Sequence, residues 1–143
     1  MSENSFIKDV VGRFEGLNLN TVDHLIDIYS NDAVFKDPFN EVTGRTAIKK
    51  IFTHMFEQVD QPQFIVLKDI STPHEACLTW EFRFYFKNER KQQVIKGCSW
   101  LTISQDSLIT EHRDYWDAAE ELYEKLPLIG AIMRLLKKKL RAR

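Results

Sequence analysis

One segment in the second half of the chain constrains its fold more than any other. From Leu78 to Phe86, apolar side chains recur at every second position. This is the period of a β-strand that buries one face and exposes the other. The buried face is predicted to carry Leu78, Trp80, Phe82, Phe84 and Phe86. Further strands are predicted at residues 64–70, 94–104 and 108–116.

The first sixty residues have the period of helices instead. Apolar residues spaced three and four positions apart predict two helices before residue 30 and a third that begins near residue 44. The third pattern is the most regular, with Thr43 and Gly44 marking its start and Pro62 its end. A short strand at 33–37 and a loop at 38–43 are predicted between the second and third helices.

The order of these elements indicates the α+β class. Helices come first and strands are clustered after them, which predicts a curved antiparallel sheet packed against three N-terminal helices. A C-terminal helical tail follows. At 143 residues the chain is long enough for one well-packed domain, expected over residues 1–117, with residues 118–143 as the tail.

The charge distribution argues against nucleic acid as a partner. The net charge is −1, but the last ten residues carry six cations and no acid, which leaves −7 on the other 133 residues. An acidic body of this kind offers no basic face to nucleic acid.

No apolar run approaches the roughly 20 residues of a membrane span. Because no leader segment precedes the first helix pattern, a cytoplasmic location is expected.

Asp37 is the first candidate for chemistry. It ends a short apolar run, lies between Phe35 and Phe39, and is followed by Pro38, which stops the strand. A carboxylate in partly apolar surroundings can serve as a general base. The alternative is that Asp37 caps the turn before the proline. The sequence leaves both interpretations open.

A second candidate set lies near the end of the last predicted strand. His112, Asp114 and Trp116 share one face of that strand by alternation. A His beside a carboxylate is held in one tautomer and can act as an acid or base near neutral pH. The alternative is a structural pair that braces the sheet, with Asp117 as the N-cap of the next helix. A single well-placed His does not predict a metal site.

The remaining candidates are residues that would line a ligand pocket. Their shared feature is a position on the predicted inner face or just after the first strand, and they are Phe35, Asn40, Trp80, Phe82, Ser99 and Trp116. Trp100 would then face outwards and predicts a homodimer contact through the outer sheet face. Cys77 and Cys98 have no zinc-type spacing and are expected to be reduced structural thiols, and no cofactor is expected.

The element order and one motif together point to a known group of proteins. Residues 29–38 read Tyr-x-x-Asp-Ala-x-Phe-x-Asp-Pro, and the chain from residue 5 to about 117 resembles the nuclear transport factor 2-like superfamily. This superfamily includes ketosteroid isomerase, SnoaL-like polyketide cyclases and limonene epoxide hydrolase. The resemblance implies a cone-shaped fold around one deep apolar pocket. By match to the isomerase, it also implies that Asp37 is the general base.

The chain departs from the isomerase pattern at its oxyanion-binding groups. Arg13 and Phe14 stand where the isomerase has a Tyr, and Ser99 and Trp100 stand where it has a protonated Asp. Two hypotheses follow. The first is a cofactor-independent isomerase, cyclase or hydratase that acts on a small apolar molecule, with Asp37 moving a proton and His112 and Asp114 assisting. The second is a non-catalytic ligand-binding or assembly module of the same fold.

The tail carries a basic amphipathic helix pattern over residues 128–143. Ile129, Ile132, Met133, Leu136 and Leu140 line one side, with Lys and Arg residues opposite. The favoured prediction is that this helix packs on the protein, as a lid or a subunit contact. The alternative is contact with an anionic membrane surface.

Overall fold

The computed structural model describes residues 3–121 and 127–141 of the chain. Of the tail predicted over 118–143, residues 122–126, 142 and 143 lie outside the described residues. In chain order the elements are α1 Glu3–Glu15, α2 Val22–Ile26, β1 Tyr29–Lys36, β2 Glu41–Thr43, α3 Arg45–Glu57, β3 Val59–Ser71, β4 Glu75–Phe86, β5 Gln92–Ile103, β6 Ile109–Tyr115, α4 Ala118–Glu121 and α5 Pro127–Leu140.

The strands form one open sheet in the order β2-β1-β6-β5-β4-β3. Neighbouring strands are antiparallel except β1 and β6, which run parallel. The sheet is therefore mixed, where the sequence pattern predicted an antiparallel one. Parallel neighbours need a long connection, and the whole segment from β2 to β5 supplies it.

The three N-terminal helices cover the inner face of this sheet. α1 packs on β3, and α3 packs on β1 and β3, while α2 contacts both other helices. On β4 every second residue from Ala76 to Phe84 is buried, which confirms the predicted inner face. The aromatic rings of Phe14, Phe52, Phe56, Phe64 and Phe82 meet between helices and sheet. This α+β architecture with three helices on a curved sheet is the predicted one.

Two boundary predictions around α3 were wrong. The predicted loop at 38–43 contains β2, a three-residue strand too short to show a period. Pro62 does not end α3, which already ends at Glu57, but lies inside β3. The β3–β4 register shifts between Asp60 and Gln63, and Gln61 has a positive φ of 51°. A proline is tolerated at such a bulge in an edge strand, because no ladder hydrogen bond needs its missing N–H.

Candidate functional site

A cavity of about 670 Å³ opens between α3 and the inner face of the sheet. Most of its wall is apolar, and the aromatic residues that line it include Phe35, Phe52, Phe64, Trp80, Phe82 and Trp116. The polar lining is sparse and most of it is exposed at the rim. Asp114 differs from these rim groups because its side chain is only 15% exposed. The cavity thus offers an apolar molecule one largely enclosed carboxylate.

Asp114 is the meeting point of a chain of buried and partly buried hydrogen bonds. From one side, Trp80 Nε1 donates to Ser99 Oγ over 2.9 Å, and Ser99 Oγ donates to Asp114 Oδ1 over 2.5 Å. From the other side, Tyr29 Oη lies 2.7 Å from His112 Nδ1, and His112 Nε2 lies 2.6 Å from Asp114 Oδ1. Both branches end on the same carboxylate oxygen.

The strand register brings these five residues together. Ser99 on β5 is directly opposite Asp114 on β6, and Leu101 is opposite His112. β1 runs beside β6 with Tyr29 opposite Ile109, so the tyrosine reaches the imidazole from the neighbouring strand. The pairing of β1 with β6 is therefore what adds Tyr29 to the His112–Asp114 pair.

Gly97 makes room for Trp80, which begins one branch of the hydrogen-bond chain. Trp80 is directly opposite Gly97 across the β4–β5 ladder. A Cβ on Gly97 would lie 2.6 Å from Cη2 and 2.9 Å from Cζ2 of the Trp80 ring. Real side chains do not approach that closely, so a strand residue without a Cβ lets the indole lie across β5 and reach Ser99. The indole thus fills the room that the missing side chain leaves in the sheet.

Tyr29 and Asp114 together determine which atom donates in each of these hydrogen bonds. Its burial raises its pKa well above the ordinary value, and the charge of Asp114 raises that pKa further. Tyr29 therefore keeps its proton, and because Asp114 Oδ1 can only accept, a neutral His112 ring accepts the hydrogen bond of the Tyr29 hydroxyl at Nδ1. A neutral imidazole that accepts at Nδ1 carries its hydrogen on Nε2, which donates to Asp114 Oδ1. Oδ1 thus accepts two hydrogen bonds, from His112 and Ser99.

Oδ2 of Asp114 is the atom left for chemistry. It receives no hydrogen bond from any residue that the structure describes, and Asp114 borders the cavity. His112 itself is 2% exposed and is surrounded by the rings of Phe14, Tyr29, Phe35 and Phe52. The imidazole therefore supports the carboxylate from behind, and the carboxylate faces the cavity.

Asp37 lies at the mouth of the same cavity, where its carboxylate holds the turn after β1. Its Oδ1 accepts the backbone N–H groups of Phe39 and Asn40, over 2.8 and 2.6 Å. The Asn40 side-chain amide donates to both carboxylate oxygens, over 3.1 and 3.2 Å. The turn-capping interpretation of Asp37 is thus observed, and the residue also lines the cavity.

The structure brings most of the predicted site residues to one cavity. Those that line it are Phe35, Asp37, Asn40, Trp80, Phe82, Asp114 and Trp116. Ser99 and His112 instead border an adjoining void of about 10 Å³, roughly the space of one water molecule. Asp117 Oδ1 accepts the N–H of Glu120, so the predicted cap of the next helix is present.

One residue of the hydrogen-bond chain was not predicted. Tyr29 begins the motif at 29–38, but its spacing also fits the buried side of the preceding helix, and no role was assigned to it. A polar hydroxyl on a fully buried residue was the available signal, since such groups are nearly always hydrogen-bonded. No group of three or more His, Cys, Asp or Glu side chains among residues 3–121 and 127–141 is arranged to hold a metal ion.

The opposite face of the sheet has a different character. Trp100 is 45% exposed there and Tyr115 49%, as the alternation with Ser99 predicted for Trp100. The Arg113 guanidinium lies over the Tyr115 ring, 4.8 Å from its centroid. An exposed aromatic patch therefore lies behind the candidate site, on the outer side of β5 and β6.

Comparison with known proteins identifies the family to which this chain belongs. The family model of the SnoaL-like domain matches residues 10–112, so the chain belongs to this family. No curated protein matches the chain by sequence.

Solved structures share the fold at low identity. A hypothetical protein with a ketosteroid isomerase-like fold from Catenulispora acidiphila, in complex with trimethylamine, is 14% identical with a TM-score of 0.71, over 85% of this chain and 92% of that one. A protein described as a SnoaL-like polyketide cyclase from Shewanella putrefaciens is 17% identical with a TM-score of 0.68, over 82% and 96%. An epoxide hydrolase of the LEH-like type from M. tuberculosis is 14% identical with a TM-score of 0.66, over 92% and 93%.

Proposed function

We propose that this protein is a cofactor-independent enzyme that moves a proton on a small apolar molecule, with Asp114 as the general base. The observation that carries the proposal is the hydrogen-bond chain from Tyr29 through His112 to Asp114. It fixes one oxygen of a carboxylate that lines an apolar cavity, and the other oxygen accepts no hydrogen bond from the described residues. An enclosed carboxylate of this kind resembles the bases that enzymes use for proton abstraction.

The chemistry at Asp114 divides between its two oxygens. Oδ2 takes a proton from the substrate, or from a water that attacks it, and returns a proton later in the cycle. Oδ1 keeps its hydrogen bonds from His112 and Ser99 throughout, so these residues orient the carboxylate and do not touch the substrate. Their preorganised hydrogen bonds need no rearrangement as charge changes on Asp114. Tyr29 fixes the imidazole tautomer from behind.

The cavity indicates the substrate class. A volume of about 670 Å³ falls within the roughly 300–1,000 Å³ of pockets that hold drug-sized molecules. The aromatic wall favours an apolar or aromatic substrate. Asn40, Lys50 and His54 at the rim are available to a single polar end. Isomerisation, cyclisation and hydration of such a molecule all need the proton transfer proposed for Asp114, and a cyclase and an epoxide hydrolase are among the proteins that share this fold.

The role of Asp37 as a general base stays a prediction. In this proposal Asp37 shapes the cavity mouth, because both of its carboxylate oxygens already accept hydrogen bonds from the turn, Oδ1 from two backbone N–H groups and Oδ2 from the Asn40 amide. The carboxylates of Asp37 and Asp114 are distinguishable, since Asp37 supports a turn and Asp114 ends the chain of hydrogen bonds from Tyr29. The homodimer through the outer sheet face also stays a prediction, with Tyr115 joining Trp100 in the expected contact.

The test uses the Asp114→Asn variant and a probe for carbon-proton abstraction. The amide retains an oxygen that accepts from His112 and Ser99, but it cannot take a proton. The exchange of the α-hydrogens of 2-tetralone in D₂O, followed by NMR, is expected to fall by about 10²–10⁴-fold. Hydrolysis of 1-methylcyclohexene oxide is the parallel probe for water activation. Asp117→Asn is the matched control, because Asn also caps a helix and the residue is exposed.

The outcomes separate the candidate functions. Loss in Asp114→Asn with retained activity in Asp37→Asn supports the proposal, and the reverse pattern moves the base to Asp37. Binding of either probe by the wild-type protein, observed as a shift in melting temperature, without turnover of either probe favours the ligand-binding module.

A further inference from the structure

Four large apolar side chains of the C-terminal helix α5 are exposed in the part of the chain that the structure describes. Ile132, Leu135, Leu136 and Leu140 are 51, 66, 47 and 83% exposed. No α5 residue whose side chain the structure describes lines the large cavity, and the lid over its mouth stays a prediction. At about 100° per residue, these four side chains fall within one arc of the helix. A helix that exposes four large aliphatic side chains needs a partner.

The opposite side of α5 is strongly basic. Arg134, Lys137, Lys138 and Arg141 fall outside the apolar arc, and no acidic residue occurs from position 127 to the end of the chain. Lys137 Nζ lies 3.7 Å from Glu120 of α4, which ties the helix to its neighbour. The body of the protein is net acidic. A local excess of positive charge thus lies beside the exposed apolar side chains of α5.

Lys139 indicates which kind of partner fits. By helical spacing it lies within the apolar arc, between the directions of Leu135 and Ile132, and it is exposed. A dry groove on another protein would bury its ammonium group without a partner, at a large desolvation cost. At a membrane interface, by contrast, the long side chain reaches the headgroup layer while its stem stays among the acyl chains.

We propose that α5 lies on the surface of an anionic lipid bilayer, with its apolar arc in the acyl boundary and its cations among the headgroups. The charge pattern and the exposed apolar arc are those of helices that bind in the interface plane. No helix of residues 3–121 and 127–141 is long and apolar enough to cross a membrane. The acidic body is repelled by the same surface, so the tail alone makes the contact.

The experiment is co-sedimentation of the full-length protein with vesicles at about 0.1 M salt. Phosphatidylcholine vesicles with about 30% phosphatidylserine are compared with pure phosphatidylcholine vesicles. Replacing Lys137, Lys138, Lys139 and Arg141 by Gln is expected to weaken binding to the anionic vesicles by about a hundredfold or more, since each cation contributes roughly fivefold. The matched control replaces Lys8, Lys68, Lys91 and Lys96 by Gln, which changes the net charge equally but leaves α5 intact.

A second variant tests the apolar arc. Leu136→Ser with Leu140→Ser is expected to weaken binding by at least about tenfold without loss of folding, because both side chains are exposed. Binding lost in both α5 variants and kept in the control supports the proposal. Absence of wild-type binding to the anionic vesicles overturns it, and so does equal binding to the neutral ones. A change of oligomeric state in the leucine variant, without vesicle binding by the wild type, assigns the arc to a second copy instead.

Discussion

Removal of a single buried hydroxyl should destabilise this protein measurably. In Tyr29→Phe the ring keeps its packing, but His112 loses the donor that lies 2.7 Å from its Nδ1. Neither imidazole tautomer is then satisfied. With hydrogen on Nε2, Nδ1 is an orphaned acceptor in a site where His112 is 2% exposed. With hydrogen on Nδ1, a lone pair on Nε2 faces a carboxylate oxygen 2.6 Å away.

The magnitude follows from the cost of a buried polar group without a partner. That cost is about 1–3 kcal/mol, and the free energy of unfolding of Tyr29→Phe should fall by this amount. The measurement is urea unfolding followed by tryptophan fluorescence, with unchanged m-value as the sign that only stability has changed. Tyr115→Phe is the matched control, because Tyr115 is exposed and its loss should cost less than about 0.5 kcal/mol.

A double-mutant cycle tests whether the effect passes through His112. In a His112→Phe background the Tyr29 hydroxyl has no acceptor, so removing it as well should be neutral or stabilising. Equal stability of Tyr29→Phe and the wild type would refute the Tyr29–His112 hydrogen bond as a stabilising contact. The same destabilisation by Tyr29→Phe in both backgrounds would show that His112 is not its partner.

Three further predictions concern pH, packing and the turn at the cavity mouth. Because burial holds the pKa of Tyr29 above 10.0 in the folded state, its contribution to stability is complete below about pH 10 and is lost as the pH rises further. Unfolding measured from pH 8 to 11 should therefore show a steeper decline for the wild type than for Tyr29→Phe, and identical slopes would contradict this. Gly97→Ala should cost about 1–3 kcal/mol by displacing the Trp80 ring. Gly12→Ala, whose Cβ meets nothing within 4 Å, should be neutral or stabilise the helix by up to about 1 kcal/mol, and equal effects of the two changes would exclude the close approach. Asp37→Ala should lower stability by about 1 kcal/mol through the lost turn hydrogen bonds, and Asp37→Asn should retain part of that. No loss in either variant would show that the carboxylate does not hold the turn.

The sequence predicts the inner face of the sheet well because alternation is a local property. The burial of every second residue on β4 and the outward direction of Trp100 both follow from the two-residue period. The shared face of His112 and Asp114 follows in the same way, and the structure shows them bonded. Local hydrophobic periodicity is thus sufficient wherever one face of a strand is buried.

The pairing of distant strands is what the sequence could not supply. Tyr29 and His112 are 83 positions apart, and their contact depends on β1 running parallel to β6. Nothing in either segment specifies that neighbour. The indole of Trp80 meets Ser99 only because Gly97 is opposite it in the β4–β5 register. A linear motif in the sequence singles out Asp37 as a candidate base. Asp114 becomes the main candidate only because the strand register brings Ser99 and His112 into hydrogen-bonding distance of it.

The direction of the hydrogen bonds from Tyr29 through His112 to Asp114 is tested most directly by the tautomer of His112. Long-range ¹H–¹⁵N correlation spectra of the ¹⁵N-labelled full-length protein at neutral pH report which imidazole nitrogen carries the hydrogen. The expected result is a neutral ring with hydrogen on Nε2, which changes in Tyr29→Phe. A ring with hydrogen on Nδ1, or a doubly protonated ring, would contradict donation by Tyr29 and remove the basis for Asp114 as the supported base.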